Sequence, residues 1–113
     1  MRVLSIMTID RDVANQLPDD HEIERMNGLL AEMRKAGALI DTGGKMSDMF
    51  EATVARKNGK FTVTDGPFTE SKEVIGGYAL YEVEDRDEAI AWTEKFLEII
   101  GDCTCQLHEV RCA

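Results

Sequence analysis

Glu51-Ala52-Thr53-Val54-Ala55-Arg56-Lys57-Asn58-Gly59-Lys60-Phe61-Thr62-Val63-Thr64 is the stretch on which the fold turns. Two strand-like runs flank Asn58-Gly59, the pair favoured in a two-residue type I′ turn because both central positions need positive φ. So short a loop fixes the register. Lys57 faces Lys60, Arg56 faces Phe61, Val54 faces Val63 and Ala52 faces Asp65. Alternation then puts Ala52, Val54, Arg56, Phe61, Val63 and Asp65 on one side, mostly apolar and ending in a carboxylate.

Before the hairpin, residues 2–8 read as a strand, with Val3 and Met7 on one side and Leu4 and Ile6 on the other. A strand apolar on both faces is covered on both. Pro18-Asp19-Asp20 punctuates the chain, and either aspartate can cap a helix. Ile23, Met26, Leu30 and Met33 recur at helical spacing, which reads as core packing, and Gly37 ends the helix. Ala38-Leu39-Ile40 is a short strand, and residues 41–48 are a loop by composition. Beyond the hairpin, residues 77–84 form a strand with Tyr78 and Leu80 opposite Ala79, Tyr81 and Val83. Asp85 caps a second helix with Glu88 as a box-like partner, and its inner stripe is Ala89, Thr93, Phe96 and Ile100. Gly101 ends it, and residues 104–111 are the last strand.

Setting the hairpin aside, the order is βαββαβ, a ferredoxin-like α+β sandwich in one domain over residues 1–113. Its helices cover one sheet face only. An exposed apolar sheet is an interaction surface, and a two-fold partner stacking sheet on sheet is the simplest cover.

Composition bounds the function. The 113 residues carry a net charge of −9, which disfavours direct contact with nucleic-acid phosphates. No run approaches the roughly 20 apolar residues of a membrane span. The amino-terminal run lacks a signal-peptide pattern, so the expected location is cytoplasmic. The odd cysteine count, Cys103, Cys105 and Cys112, gives no disulfide framework, and neither cysteine nor histidine spacing makes a metal site. No cofactor-binding pattern stands out.

Residues 63–78, Val-Thr-Asp-Gly-Pro-Phe-Thr-Glu-Ser-Lys-Glu-Val-Ile-Gly-Gly-Tyr, carry the chemistry. Pro67 lacks an amide proton and ends the strand, while Gly66 accepts unusual backbone angles. Asp65 can accept backbone amides in an Asx-type turn. Phe68 is an apolar anchor in a polar loop, and Gly76-Gly77 allows close approach of a backbone or ligand.

This stretch resembles the DGPF signature of the YCII-related family, including its Glu-x-Lys-Glu and Gly-Gly-aromatic continuation. Met26-Asn27, Ala36-Gly37, residues 88–92 and Glu109-Val110-Arg111 are similar to that family too. The resemblance implies a dimeric α/β barrel with a pocket near the motif, in a family mostly without an assigned reaction. Members occur beside or fused to extracytoplasmic-function sigma factors, which implies a link to transcription initiation. Two features depart from the pattern. Gly43-Gly44-Lys45-Met46-Ser47-Asp48 stands where relatives often have Leu-x-Pro-Ser, and neither His21 nor His108 occupies the place of the His that pairs with Asp in the better-known branch.

Two readings of function follow. In the first, a small polar or anionic molecule binds between the sheets of a homodimer. Asp65 is then the candidate acid/base, with His108 a second candidate, and desolvation would raise the Asp65 carboxyl toward a useful range. Turn-capping is the competing role for Asp65, and amide bonds would lower its pKa instead. Arg56, Gly66, Pro67, Phe68, Lys72 and Tyr78 are the candidate ligand-binding residues: Arg56 for a carboxylate, Lys72 for an acidic group, the others for the turn and its rim. In the second, the acidic chain is a non-catalytic regulatory module docking a basic partner such as a sigma factor.

Overall fold

The computed structural model describes residues 1–14, 16–45, 49–66 and 73–111. Its elements run β1 (Arg2–Asp10), α1 (Arg11–Ala14), α2 (Asp20–Lys35), β2 (Leu39–Gly44), β3 (Ala52–Lys57), β4 (Lys60–Asp65), β5 (Glu73–Glu82), α3 (Arg86–Ile100) and β6 (Thr104–Val110). Four strands make one antiparallel sheet in the order β2-β5-β1-β6, and β3 and β4 pair separately. Without the hairpin and the single-turn α1, this is βαββαβ with β1 inside the sheet, compatible with a ferredoxin-like arrangement.

The hairpin has the register its turn dictates, from Lys57 opposite Lys60 to Ala52 opposite Asp65. Asn58 and Gly59 both take positive φ, 51° and 77°. Helix ends follow their capping residues. The Asp19 carboxylate accepts the Glu22 amide at 2.8 Å. After Ala36, Gly37 at φ 72° lets the Ala38 amide reach the Met33 carbonyl and the Gly37 amide reach Arg34, a Schellman closure. At α3 the Asp85 carboxylate accepts the Glu88 amide at 2.9 Å, and Glu88 Oε2 accepts the Glu84 amide at 2.7 Å, one residue before the cap.

Three boundaries depart from the sequence pattern. Residues 41–44 belong to β2 and not to a loop, because Asp41, Thr42, Gly43 and Gly44 pair along β5 opposite Leu80, Ala79, Tyr78 and Gly77. Ladder pairing outweighs their turn-like composition. β1 continues to Asp10 through a register shift between Met7 and Thr8, and so draws β5 back to Glu73. The extra residue is Gly76 on β5, so β1's alternation runs on unbroken and Ile9 faces inward with Val3, Ser5 and Met7, where it is buried. On α2 the buried residues are Leu29 and Met33, whereas Ile23, in the first turn, is 43% exposed.

Both long helices lie on one sheet face. Val3, Leu29, Met33, Tyr81, Val83 and Ala89 form the core, with Trp92, Phe96 and Leu107 packed against it. A fully buried Val, Leu or Met contributes about 1.5–3 kcal/mol. The other face carries Leu4, Ile6, Tyr78, Leu80 and His108, which follow from the pairing of β1 with β5 and β6. The hairpin's Val54, Phe61 and Val63 are each about two-thirds exposed. The protein is a slab of 45 × 36 × 18 Å.

Candidate functional site

Between α2, α3 and the sheet lies a cavity of about 280 Å³. Met26, Leu29, Leu30 and Met33 come to it from α2, and Phe96 and Ile100 from α3. The strands contribute Ser5, Met7, Ala79, Tyr81 and Cys105, and it reaches the crossing of Gly43-Gly44 with Gly76-Gly77. Period-two alternation in β1 explains why Ser5 faces inward with Val3 and Met7.

The glycine crossing is tight for a definite reason. A Cβ on Gly77 would lie 2.8 Å from the Gly43 carbonyl oxygen, and one on Gly43 would lie 2.8 Å from the Tyr78 ring. The close backbone approach expected of Gly76-Gly77 is therefore made at Gly77. Beside it the Lys45 amide donates to the Gly76 carbonyl at 2.9 Å. Lys45 Nζ pairs with Glu51 at 3.1 Å, and the Glu51 carbonyl accepts the Gly66 amide at 2.7 Å. These contacts anchor the hairpin base, where the Asp65-Gly66 turn begins, next to that end of the cavity. Gly66 sits at φ 84°, the left-handed geometry glycine adopts freely.

The candidate residues do not converge in a single chain. Asp65 is exposed at the base of the hairpin, and the turn residues from 67 on, whose amides could cap it from position 68, lie outside the described residues. Arg56, on the same hairpin side, stacks its guanidinium 5.8 Å from the Phe61 ring centroid. Four residues of strand separate the pairs that hold Arg56 and Asp65, roughly 13 Å. Pro67, Phe68 and Lys72 lie outside the described residues. His108 is exposed on the outer sheet face opposite Leu4. Tyr78 borders the cavity and donates its hydroxyl to Asp41 at 2.6 Å, and this bond to a carboxylate raises the phenol's pKa.

A buried polar chain lies on the cavity's inner side, unforeseen from the sequence. Tyr81 Oη is 3.2 Å from Thr93 Oγ1, and Thr93 donates to the Ala89 carbonyl at 2.9 Å. The neighbouring Ser5 hydroxyl lowers the pKa of both Tyr81 and Cys105, partly offsetting their burial. The available signal was Ser5 itself, a hydroxyl on the inward side of an apolar strand, which needs a partner there.

Burial raises the Cys105 thiol and the Tyr81 phenol, and pushes Cys103 up to about 11, with Cys105 and Asp102 adding to the shift. The sign follows from linkage. The fold keeps these groups protonated, whereas the unfolded chain releases the Cys103 proton near its ordinary 9.0. The folded state thus binds more protons between about pH 9 and 11, and stability falls as pH rises through that window. Thermal unfolding from pH 8 to 11 should show a declining Tm, with a shallower decline for Cys103→Ser. Equal slopes would remove the thiol as a cause.

Among the described residues no group of three His, Cys, Asp or Glu is placed to hold a metal, and no helix is long and apolar enough to cross a membrane. Compared with protein-family models, residues 1–96 match the YCII-related domain. That span takes in every element through most of α3 and leaves β6 beyond it. No curated protein matches the chain.

Proposed function

The chain belongs to the YCII-related family, and from that premise we propose that it is a homodimeric small-molecule-binding protein whose ligand occupies the cavity between the helices and the sheet. One observation carries the reading: a cavity of about 280 Å³ ends at the same glycine crossing to which the motif turn is anchored. Binding sites are typically apolar clefts with a few convergent polar groups, and this cavity has that character. The reading moves the ligand from the sheet–sheet interface to the helix side of the sheet.

Asp65 stands at the head of the turn and does not line the cavity, so on this reading its acid/base role falls on the part of the ligand that projects past the glycine crossing toward the hairpin base. Asp65→Asn should leave binding in the cavity unchanged and remove any turnover of the bound compound. Dimerisation is proposed from the apolar outer face, where Leu4, Ile6 and Leu80 have no helix over them.

A screen of small organic fragments by ¹H–¹⁵N correlation spectra tests the site. Saturable shifts should gather at the amides of Ser5, Gly77, Ala79 and Cys105. Shifts confined to the hairpin or to the outer face would move the site away from the cavity. The net charge of −9 favours a second reading, docking onto a basic partner such as a sigma factor. Absence of any salt-sensitive complex with sigma factors would remove it.

A further inference from the structure

The floor and roof of the cavity differ, and the difference points to a class of ligand, an inference that rests on the binding reading above. Strand pairing sets Gly44, Gly77, Met7 and Cys105 side by side on the helix-facing side of the sheet. Thr42, Ala79 and Ser5 make the next row. Gly44, Gly77, Ala79 and Ser5 add little or no side chain, so this part of the floor is nearly bare backbone. The space above it stays open because nothing projects from below to fill it.

The roof is thioether and aromatic. Met26 and Met33 stand seven residues apart on α2, about 10 Å along the helix axis, and Phe96 comes from α3. Met7 closes the glycine end, where its Cε is the atom a Cβ on Gly76 would strike. Methionine ordinarily fills irregular gaps in a core. Here Met7, Met26 and Met33 surround a gap that they leave open. Their sulfurs are polarisable and favour the edge of an aromatic ring. Among the described residues no Asp, Glu, Lys, Arg or His lines the cavity. A charged ligand would shed its hydration there with no counter-charge in reach.

We propose that the cavity selects a flat, uncharged aromatic molecule, its face on the Gly77 and Ala79 backbone and its edge against the methionine sulfurs. At interior packing density the volume suits roughly ten to fifteen non-hydrogen atoms, the size of two fused rings.

Three probes on one skeleton test this: 2-naphthol, flat and neutral at pH 7; decahydro-2-naphthol, saturated and puckered; and 2-naphthoate, flat and anionic. Each is titrated into the full chain carrying ¹³C-methyl methionine. The methyl signals of Met7, Met26 and Met33 should move saturably, and that of the half-exposed Met49 should stay. 2-Naphthol should bind tightest, decahydro-2-naphthol about fivefold more weakly, and 2-naphthoate about tenfold more weakly or worse. Replacing both α2 methionines, Met26→Leu with Met33→Leu, keeps the volume and removes two sulfurs. It should weaken 2-naphthol severalfold and leave decahydro-2-naphthol unchanged. Equal loss for both compounds, or none for either, would overturn the sulfur contact. Equal affinities of the native chain for 2-naphthol and decahydro-2-naphthol would overturn the aromatic class while leaving the cavity as the site, and this comparison needs no variant to fold. Naphthoate binding as tight as 2-naphthol would overturn the uncharged class in the same way. If no probe moves the three methyl signals, the cavity reading falls with the inference.

Discussion

Replacing Gly77 with alanine is expected to lower the unfolding free energy by about 1–3 kcal/mol. The added carbon would meet the Gly43 carbonyl oxygen at 2.8 Å and the Gly44 Cα at 3.5 Å. Those are backbone atoms of the adjacent strand, and no rotamer change moves them. Relief requires β2 to separate from β5, its one neighbour in the sheet among the described residues. The neighbouring glycines set the scale. At Gly76 the nearest obstacle is the Met7 Cε, the far end of a flexible side chain, so Gly76→Ala should cost less. At Gly44 the nearest atom is 3.9 Å away, so Gly44→Ala should cost least. Urea unfolding followed by the fluorescence of Trp92, the single tryptophan, would rank the three. Equal midpoints for Gly77→Ala and Gly44→Ala would mean that glycine does not set the strand spacing here.

Light scattering at micromolar concentration is expected to return twice the chain mass of 12.6 kDa, and Ile6→Glu to return the chain mass alone. Ile6 lies on β1 between Tyr78 and Gln106, facing away from the helices and outside the core cluster. A glutamate there costs the isolated chain little. Inside a sheet–sheet interface it would be a buried charge without a partner, costing several kcal/mol, which is at least a hundredfold in association. Four strands averaging eight residues present roughly 500 Å² of flat surface at normal strand spacing. A stable interface buries about 800 Å² per partner. The exposed Val54, Phe61 and Val63 of the hairpin would supply much of the difference, so Phe61→Glu should weaken the dimer as well. With −9 on each copy, added salt should tighten association. A wild-type chain that stays monomeric with its fold intact would end the dimer proposal.

Where a local rule had no tertiary competitor, the sequence was readable. Asn58-Gly59 set the hairpin register residue by residue, and Asp19, Gly37, Asp85 and Gly101 marked the helix ends. Misreadings arose where a neighbour decided. Asp41 to Gly44 have the composition of a loop and form a strand because β5 lies alongside. Ile23 has helical spacing and stays in solvent, since α2 buries Leu29 and Met33 instead. The cavity was least legible. It is enclosed by residues from both long helices and from β1, β2, β5 and β6, and no local pattern reports empty space between distant segments. Asp65, His108 and Arg56 stand out in the sequence by their chemistry alone, and they occupy the hairpin and the outer face.

Thinness has a hydrodynamic corollary. One copy is a plate, 18 Å through and 45 Å long, and should drag more in water than a sphere of its mass. Two plates laid flat against each other, their sheets about 10 Å apart, would bring the short dimension up to about the 45 Å length. Sedimentation velocity across a dilution series should then see the heavier species approach a sphere in its frictional ratio, while a side-by-side pairing would make it more elongated.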